Sequence, residues 1–148
     1  MVFLLISVIF SNVVAYIVPK HMTRIEVYST ALFSLSLGLT VDMVLDVYLN
    51  VYGYLEEGFQ FTGLVTNVGL FPAMGILFLN FYPAQKGLFK KTFYFIMWTA
   101  FSLLYEWAAL ISGFFYHSGW NLWYSAFTYP LLLWLLLLHR CFIRKKPV

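Results

Sequence analysis

Long apolar runs separated by short polar segments make up most of the chain. Five of these runs approach the ~20 predominantly apolar residues that a helix needs to cross the hydrocarbon core of a bilayer. They cover residues 2–18, 25–49, 62–81, 92–112 and 120–139. Because the segments between them are short, neighbouring helices are expected to run antiparallel. The pattern predicts an all-α fold, a single domain over residues 1–148 that is a bundle of five transmembrane helices.

Composition supports this prediction and excludes other classes of protein. Of the 148 residues, 62% are hydrophobic and 10% are charged, with a mean hydropathy of +0.82. Soluble domains have roughly 45–50% apolar and about 25% charged residues. A soluble enzyme, a nucleic-acid binder and a disordered tail are therefore excluded. We expect a multi-pass protein of the cell membrane whose immediate partner is the lipid bilayer.

The nine Lys and Arg residues lie in only three places along the chain. They follow the first, third and fifth runs, and they are Lys20, Arg24, Lys86, Lys90, Lys91, Arg140, Arg144, Lys145 and Lys146. In short loops, these two residue types are concentrated on the cytoplasmic side of the membrane. With five spans, the bias predicts an N-terminus outside and a cytoplasmic C-terminus.

Polar side chains within the apolar runs are the candidates for function. Asp42 and Asp46 lie one turn apart in the second span, and Glu106 lies near the end of the fourth. An acid deep in a span costs on the order of 2.5–3.5 kcal/mol, so such groups usually face the bundle interior or a wet cavity. Asn67 in the third span and His117 in an outer loop are expected at the same level. These five residues predict a proton or cation pocket in the outer half of the membrane.

Small and polar residues continue the faces that carry these acids. Two stripes have helical spacing, Ser34, Gly38, Asp42 and Asp46 in span two, and Thr99, Ser102, Glu106, Ala109 and Gly113 in span four. Small residues let transmembrane helices approach closely. Spans two and four are therefore expected to face each other, or both to face span three.

Two other interpretations of the acids stay open. They can be protonated packing groups, with hydrogen bonds of roughly 0.6 kcal/mol each. A metal site from Asp42, Asp46, Glu106 and His117 is less favoured, because no histidines are paired at helical spacing. The lone Cys141 excludes an intramolecular disulfide and sites built from several thiolates. We expect neither a metal nor a cofactor.

Two outer loops are rich in aromatic residues. One follows span two and contains Tyr52 and Tyr54, and the other covers residues 113–124. Aromatic belts of this kind anchor membrane proteins in the headgroup layer, and we expect that role here. A stacking platform over the acids is the alternative.

Several short segments of the chain form a recognisable set. They are LFLNFYP (77–83), YEW (105–107), GFFYH (113–117), WYSA (123–126), YP (129–130) and the acidic stretch 42–54. Together they resemble an uncharacterised family of small multi-pass integral membrane proteins from Bacillus and related Firmicutes, over about residues 30–146. It implies an integral membrane protein and carries no activity with it.

The function classes that remain are a binding protein and a transporter. No HExxH, CxxC, GxSxG or phosphate-loop motif is present, so we expect no enzymatic activity. We expect a small binding or helper protein with an outward-facing acidic pocket, alone or within a larger membrane complex or homo-oligomer. The alternative is a proton- or cation-coupled transporter. Five spans do not contain two matched halves, so such a transporter would work as an oligomer.

Overall fold

The computed structural model describes residues 2–54 and 61–144. Within them the fold is all-α apart from one short ribbon, as the sequence predicts. The helices are α1 (Val2–Ile17), α2 (Arg24–Asp42), α3 (Phe61–Gly69), α4 (Phe71–Phe81), α5 (Leu88–Ile111) and α6 (Leu122–Arg144). A π-helical segment, Met43–Tyr48, extends α2, and the strands are β1 (Tyr52–Tyr54) and β2 (Phe115–His117).

Four helical segments in the described residues are long and apolar enough to cross a membrane, which indicates a membrane protein. They are Arg24–Tyr48, Phe61–Phe81, Leu88–Ile111 and Leu122–Arg144. Helix α1 is also apolar but, with 16 residues, is shorter than these four segments. The Phe61–Phe81 segment is divided at Leu70 into α3 and α4. Pro72 lies in the first turn of α4, where its missing N–H costs little.

The interior face of α2 is polar along its whole length. The buried positions of α2 and its extension recur every four residues, and they are Glu26, Thr30, Ser34, Gly38, Asp42 and Asp46. The exposed positions include large apolar side chains such as Ile25, Tyr28 and Leu32. A helix surrounded by lipid is expected to have its polar side chains facing the protein interior and its apolar side chains facing outward.

Helix α2 packs mainly against α4 and α6, and α5 packs mainly against α6. Two glycines allow the close approach of α2 to α3 and α4. A Cβ atom added at Gly38 would lie 2.6 Å from Asn67 Oδ1 and 2.6 Å from Phe71 Cδ2. One added at Gly75 would overlap Ser34 Oγ. Spans two and three are therefore in direct contact, through the small residues that the sequence pattern indicates.

One end of the bundle carries every Lys and Arg of the described residues, and we call it the basic end. It is formed by residues 19–24, 82–91 and 140–144. Glu26 completes a capping box with Thr23 at the start of α2 and forms an ion pair with Arg144 at the end of α6. Asn80 accepts a hydrogen bond from His21 N and donates one to the carbonyl of Pro19. These contacts hold the ends of α1, α2, α4 and α6 together.

The opposite end carries a two-stranded antiparallel ribbon, and we call it the ribbon end. Strands β1 and β2 pair Tyr52 with His117 and Tyr54 with Phe115. The carbonyl of Val51 also accepts the N–H groups of residues 118, 119 and 120, each at 3.0 Å. This ribbon, which the sequence pattern does not predict, joins the segment after α2 to the segment after α5.

Replacement of Gly38 by alanine tests the close approach of α2 to α3 and α4. Helix propensity alone favours alanine over glycine by about 1 kcal/mol. We expect the opposite result, a destabilisation of about 1–3 kcal/mol, because the new methyl group has no space. Asn67 cannot move aside easily, since its amide is hydrogen-bonded to Asp42 and to the carbonyl of Gly63.

The measurement is thermal unfolding in detergent, with Gly119→Ala as the control. A Cβ atom at Gly119 meets only Val51, at an ordinary distance of 3.6 Å. A Gly38→Ala protein as stable as the wild type would contradict the packing described for α2.

Candidate functional site

A cavity of about 210 Å³ lies between α2, α4, α5 and α6 and is lined by the ribbon at one end. Two carboxylates lie on its wall, Asp42 from α2 and Glu106 from α5. Both side chains are buried, with 7% and 4% of their surface exposed. Spans two and four thus present their acids to one shared space, and the carboxylates point away from the lipid-facing surface.

Asp42 is surrounded by three hydrogen-bond donors. The hydroxyl of Tyr52 donates to Oδ1 at 2.7 Å, and that of Tyr54 donates to Oδ2 at 3.0 Å. The side-chain amide of Asn67 donates to Oδ2 from α3. Burial and then the nearby Asp42 carboxylate raise the pKa of both tyrosines far above the usual range. The phenols therefore stay protonated and remain donors.

Glu106 has a matching set of three partners. Ser125 donates to Oε1 at 2.8 Å, Tyr129 donates to Oε2 at 2.7 Å, and His117 Nε2 lies 2.9 Å from Oε1. The indole N–H of Trp120 donates to Ser125 Oγ at 2.7 Å. Because an indole is a donor only, the hydroxyl hydrogen of Ser125 is free to point at Glu106.

These contacts are suited to ionised carboxylates. An ionised carboxylate only accepts hydrogen bonds, and each of the two is surrounded by neutral donors. His117 carries a charge only when it is protonated. Among the described residues that line the cavity, none is Lys or Arg. An ionised carboxylate on this wall would therefore have no Lys or Arg among the described lining residues to balance its charge.

The structure divides the five predicted site residues into three groups. Asp42 and Glu106 lie on the cavity wall, whereas Asn67 and His117 lie behind them as hydrogen-bond partners. Asp46 is buried but does not line the cavity, and its Oδ1 has no hydrogen-bond partner among the described residues. The four-residue spacing predicts Asp46 on one helical face with Asp42, and both are buried on the inner face of α2 and its π-helical extension. Of the two, Asp42 lines the cavity.

Four donors to the carboxylates are not among the predicted site residues. They are Tyr52, Tyr54, Ser125 and Tyr129. The sequence predicts the first two in an interfacial aromatic belt, but both are buried. The signal that was available is the Tyr-Gly-Tyr alternation, which places both tyrosines on one face when the segment forms a strand.

The described residues contain no group of three or more His, Cys, Asp or Glu side chains placed to hold a metal ion. Comparisons of the chain with family models, with curated proteins and with solved structures found no match. The resemblance to small membrane proteins of Firmicutes therefore stays a prediction, and the site has to be interpreted from its own geometry.

Removal of one donor to Asp42 tests the hydrogen bonding of the site. Tyr54→Phe keeps the ring and deletes the hydroxyl that donates to Asp42. A hydrogen bond to a charged group contributes about 1.5–3 kcal/mol, so we expect a loss of that size in the free energy of unfolding.

Tyr48→Phe is the matched control, because Tyr48 is 83% exposed and should tolerate the change to within about 0.5 kcal/mol. Both variants are compared with the wild type by thermal unfolding in detergent. Equal stability of the two variants would show that Asp42 does not need the Tyr54 hydroxyl.

Proposed function

We propose that the protein is a non-enzymatic, multi-pass protein of the cell membrane with an outward-facing acidic pocket that binds a cation. One observation carries this proposal, the presence of Asp42 and Glu106 on the wall of one cavity. Their hydrogen bonds come from neutral donors, and the described part of the wall has no Lys or Arg. In a poorly solvated interior, two fixed negative charges attract a positive ligand strongly.

The proposed orientation has five spans, with α1 as the first, the N-terminus outside and the basic end in the cytoplasm. All Lys and Arg of the described residues lie at the basic end, and the described residues of the ribbon end have none. This distribution agrees with the positive-inside rule. In that orientation the ribbon and the two carboxylates lie in the outer half of the membrane.

A matched pair of glycines gives a direct test of the orientation. Gly119 lies in the segment after the ribbon and Gly87 in the segment before α5, and both are exposed. In a background in which Cys141 is replaced by serine, we expect Gly119→Cys in intact cells to react with a membrane-impermeant maleimide. Gly87→Cys should react only after the membrane is permeabilised. The reverse labelling would contradict the proposed orientation.

Cation binding should appear as stabilisation of the folded protein that requires both carboxylates. A ligand present at 100 times its Kd stabilises the native state by about 2.7 kcal/mol. We expect at least one of K⁺, Mg²⁺ and tetramethylammonium to raise the Tm of the wild type. Asp42→Asn and Glu106→Gln should each greatly weaken this response.

Asp46→Asn is the matched control, because it neutralises a buried carboxylate that does not line the cavity. It should keep the response of the wild type. An equal response in all four proteins would indicate general screening by salt, and no response in any of them would exclude a cation pocket. Either result would contradict the proposed function.

The second candidate function is proton- or cation-coupled transport by an oligomer. One feature favours it, the continuation of the polar face of α2 from the cavity toward the basic end. Thr30 Oγ1 and Ser34 Oγ are buried there without hydrogen-bond partners among the described residues. Polar groups within a span commonly mark ion pathways. Uptake of a cation into proteoliposomes, lost in Asp42→Asn, would favour transport over simple binding.

A further inference from the structure

The cavity is large enough for an organic molecule. Its volume of about 210 Å³ exceeds that of engineered apolar cavities, about 150 Å³, that bind benzene. Along α2 it extends from Asp42 to Ser34, two helical turns or about 12 Å at 1.5 Å per residue. A bare inorganic cation would occupy a small part of this space.

The wall of the cavity is mostly aromatic and aliphatic. Ten of the described residues that line it are aromatic, among them Trp98, Phe101, Tyr105 and Trp120. Aromatic faces attract organic cations, with about 0.5–2 kcal/mol for each ring in contact with the charge. The lining also contains aliphatic side chains, such as those of Met74 and Leu136.

The carboxylates have little capacity left to bind an inorganic ion. Each carboxylate offers about four lone-pair sites, and three donors already occupy most of them at both Asp42 and Glu106. Calcium requires six to eight oxygen ligands, and magnesium requires an octahedral set. An alkylated ammonium ion needs no such ligands, because its charge is spread over its carbon atoms and is weakly hydrated.

A further polar group on the wall has no partner. Ser34 is 5% exposed and lies at the end of the cavity away from the carboxylates, and its Oγ forms no hydrogen bond among the described residues. A buried polar atom without a partner costs about 1–3 kcal/mol. A ligand with a second polar group could form a hydrogen bond with this hydroxyl while its positive charge lies near the carboxylates.

We propose that the cavity takes an organic ammonium ion, with its charge between Asp42 and Glu106 and its apolar body along the aromatic and aliphatic wall toward Ser34. This inference rests on the proposed cation pocket and names the class of its ligand. Charge and apolar surface both contribute to recognition, so each can be varied separately in the ligand.

Calorimetric titration of the full chain in lipid nanodiscs tests both contributions. Choline is compared with 3,3-dimethylbutan-1-ol, which has the same shape with carbon in place of nitrogen. Butyltrimethylammonium is compared with tetramethylammonium, which lacks three methylenes. We expect choline to bind at least about tenfold more tightly than its neutral counterpart. Because of its three additional methylenes, butyltrimethylammonium should bind at least about tenfold more tightly than tetramethylammonium.

The variants connect these differences to the site. Asp42→Asn and Glu106→Gln should reduce the preference for choline over the neutral alcohol by at least about tenfold, and Asp46→Asn should leave it unchanged. If an amide variant fails to fold, the affinities of the two ligand pairs for the wild type still test whether the cavity recognises charge and apolar surface.

The outcomes separate this inference from the proposed function. Stabilisation by K⁺ or Mg²⁺ without binding of any of the organic cations would overturn the ligand class and leave the cation pocket intact. Equal binding of choline and the neutral alcohol would overturn both, because the carboxylates would then have no role in recognition. Absence of binding by every cation would likewise overturn both.

Discussion

Two carboxylates buried among apolar helices impose the main constraint on this structure. Each must be given hydrogen bonds, because an ionised acid without partners in a poorly solvated interior is very costly. Asp42 obtains them from β1 and α3, and Glu106 obtains them from β2 and α6. The two carboxylates therefore hold the ribbon and the adjoining helix ends in one arrangement. Tyr52 and His117, which serve different carboxylates, are directly paired across the ribbon, so the two sets of donors are mechanically linked.

The two ends of the bundle stabilise their buried acids with different kinds of partner. At the basic end the buried Glu26 is matched by the opposite charge of Arg144 and by the backbone N–H of Thr23. At the ribbon end the donors are phenol, amide and hydroxyl groups together with one imidazole. These groups supply hydrogen bonds and, unless the imidazole is protonated, they supply no positive charge. A buried acid thus has a permanently charged partner at the basic end and none among the described residues at the ribbon end, although the acids at both ends are buried to a similar degree.

Much of the fold could be predicted from the sequence, because a membrane span is a property of composition over about 20 residues. The inward position of Asp42 and Glu106 could be predicted as well, since their faces are continued by small residues at helical spacing. The ribbon could not, because strands of three residues such as Tyr52–Tyr54 have no signal of their own and form only when both loops meet. The change to a π-helix at Met43 also has no pattern in the sequence. Nor does the spacing show that Asp46, buried on the same face as Asp42, lies outside the cavity wall.

The donors around the carboxylates also limit what the cavity can recognise. A carboxylate with free lone pairs can replace the hydration water of a small cation. One that already accepts three hydrogen bonds attracts a cation by its charge but offers few lone pairs to replace that water. Such a carboxylate favours a cation that is only weakly hydrated. The aromatic wall acts in the same direction, because rings such as Trp98 cannot coordinate an ion and can attract a diffuse charge. The hydrogen bonds that stabilise the two buried acids are therefore also the basis on which we propose an organic rather than an inorganic cation as the ligand.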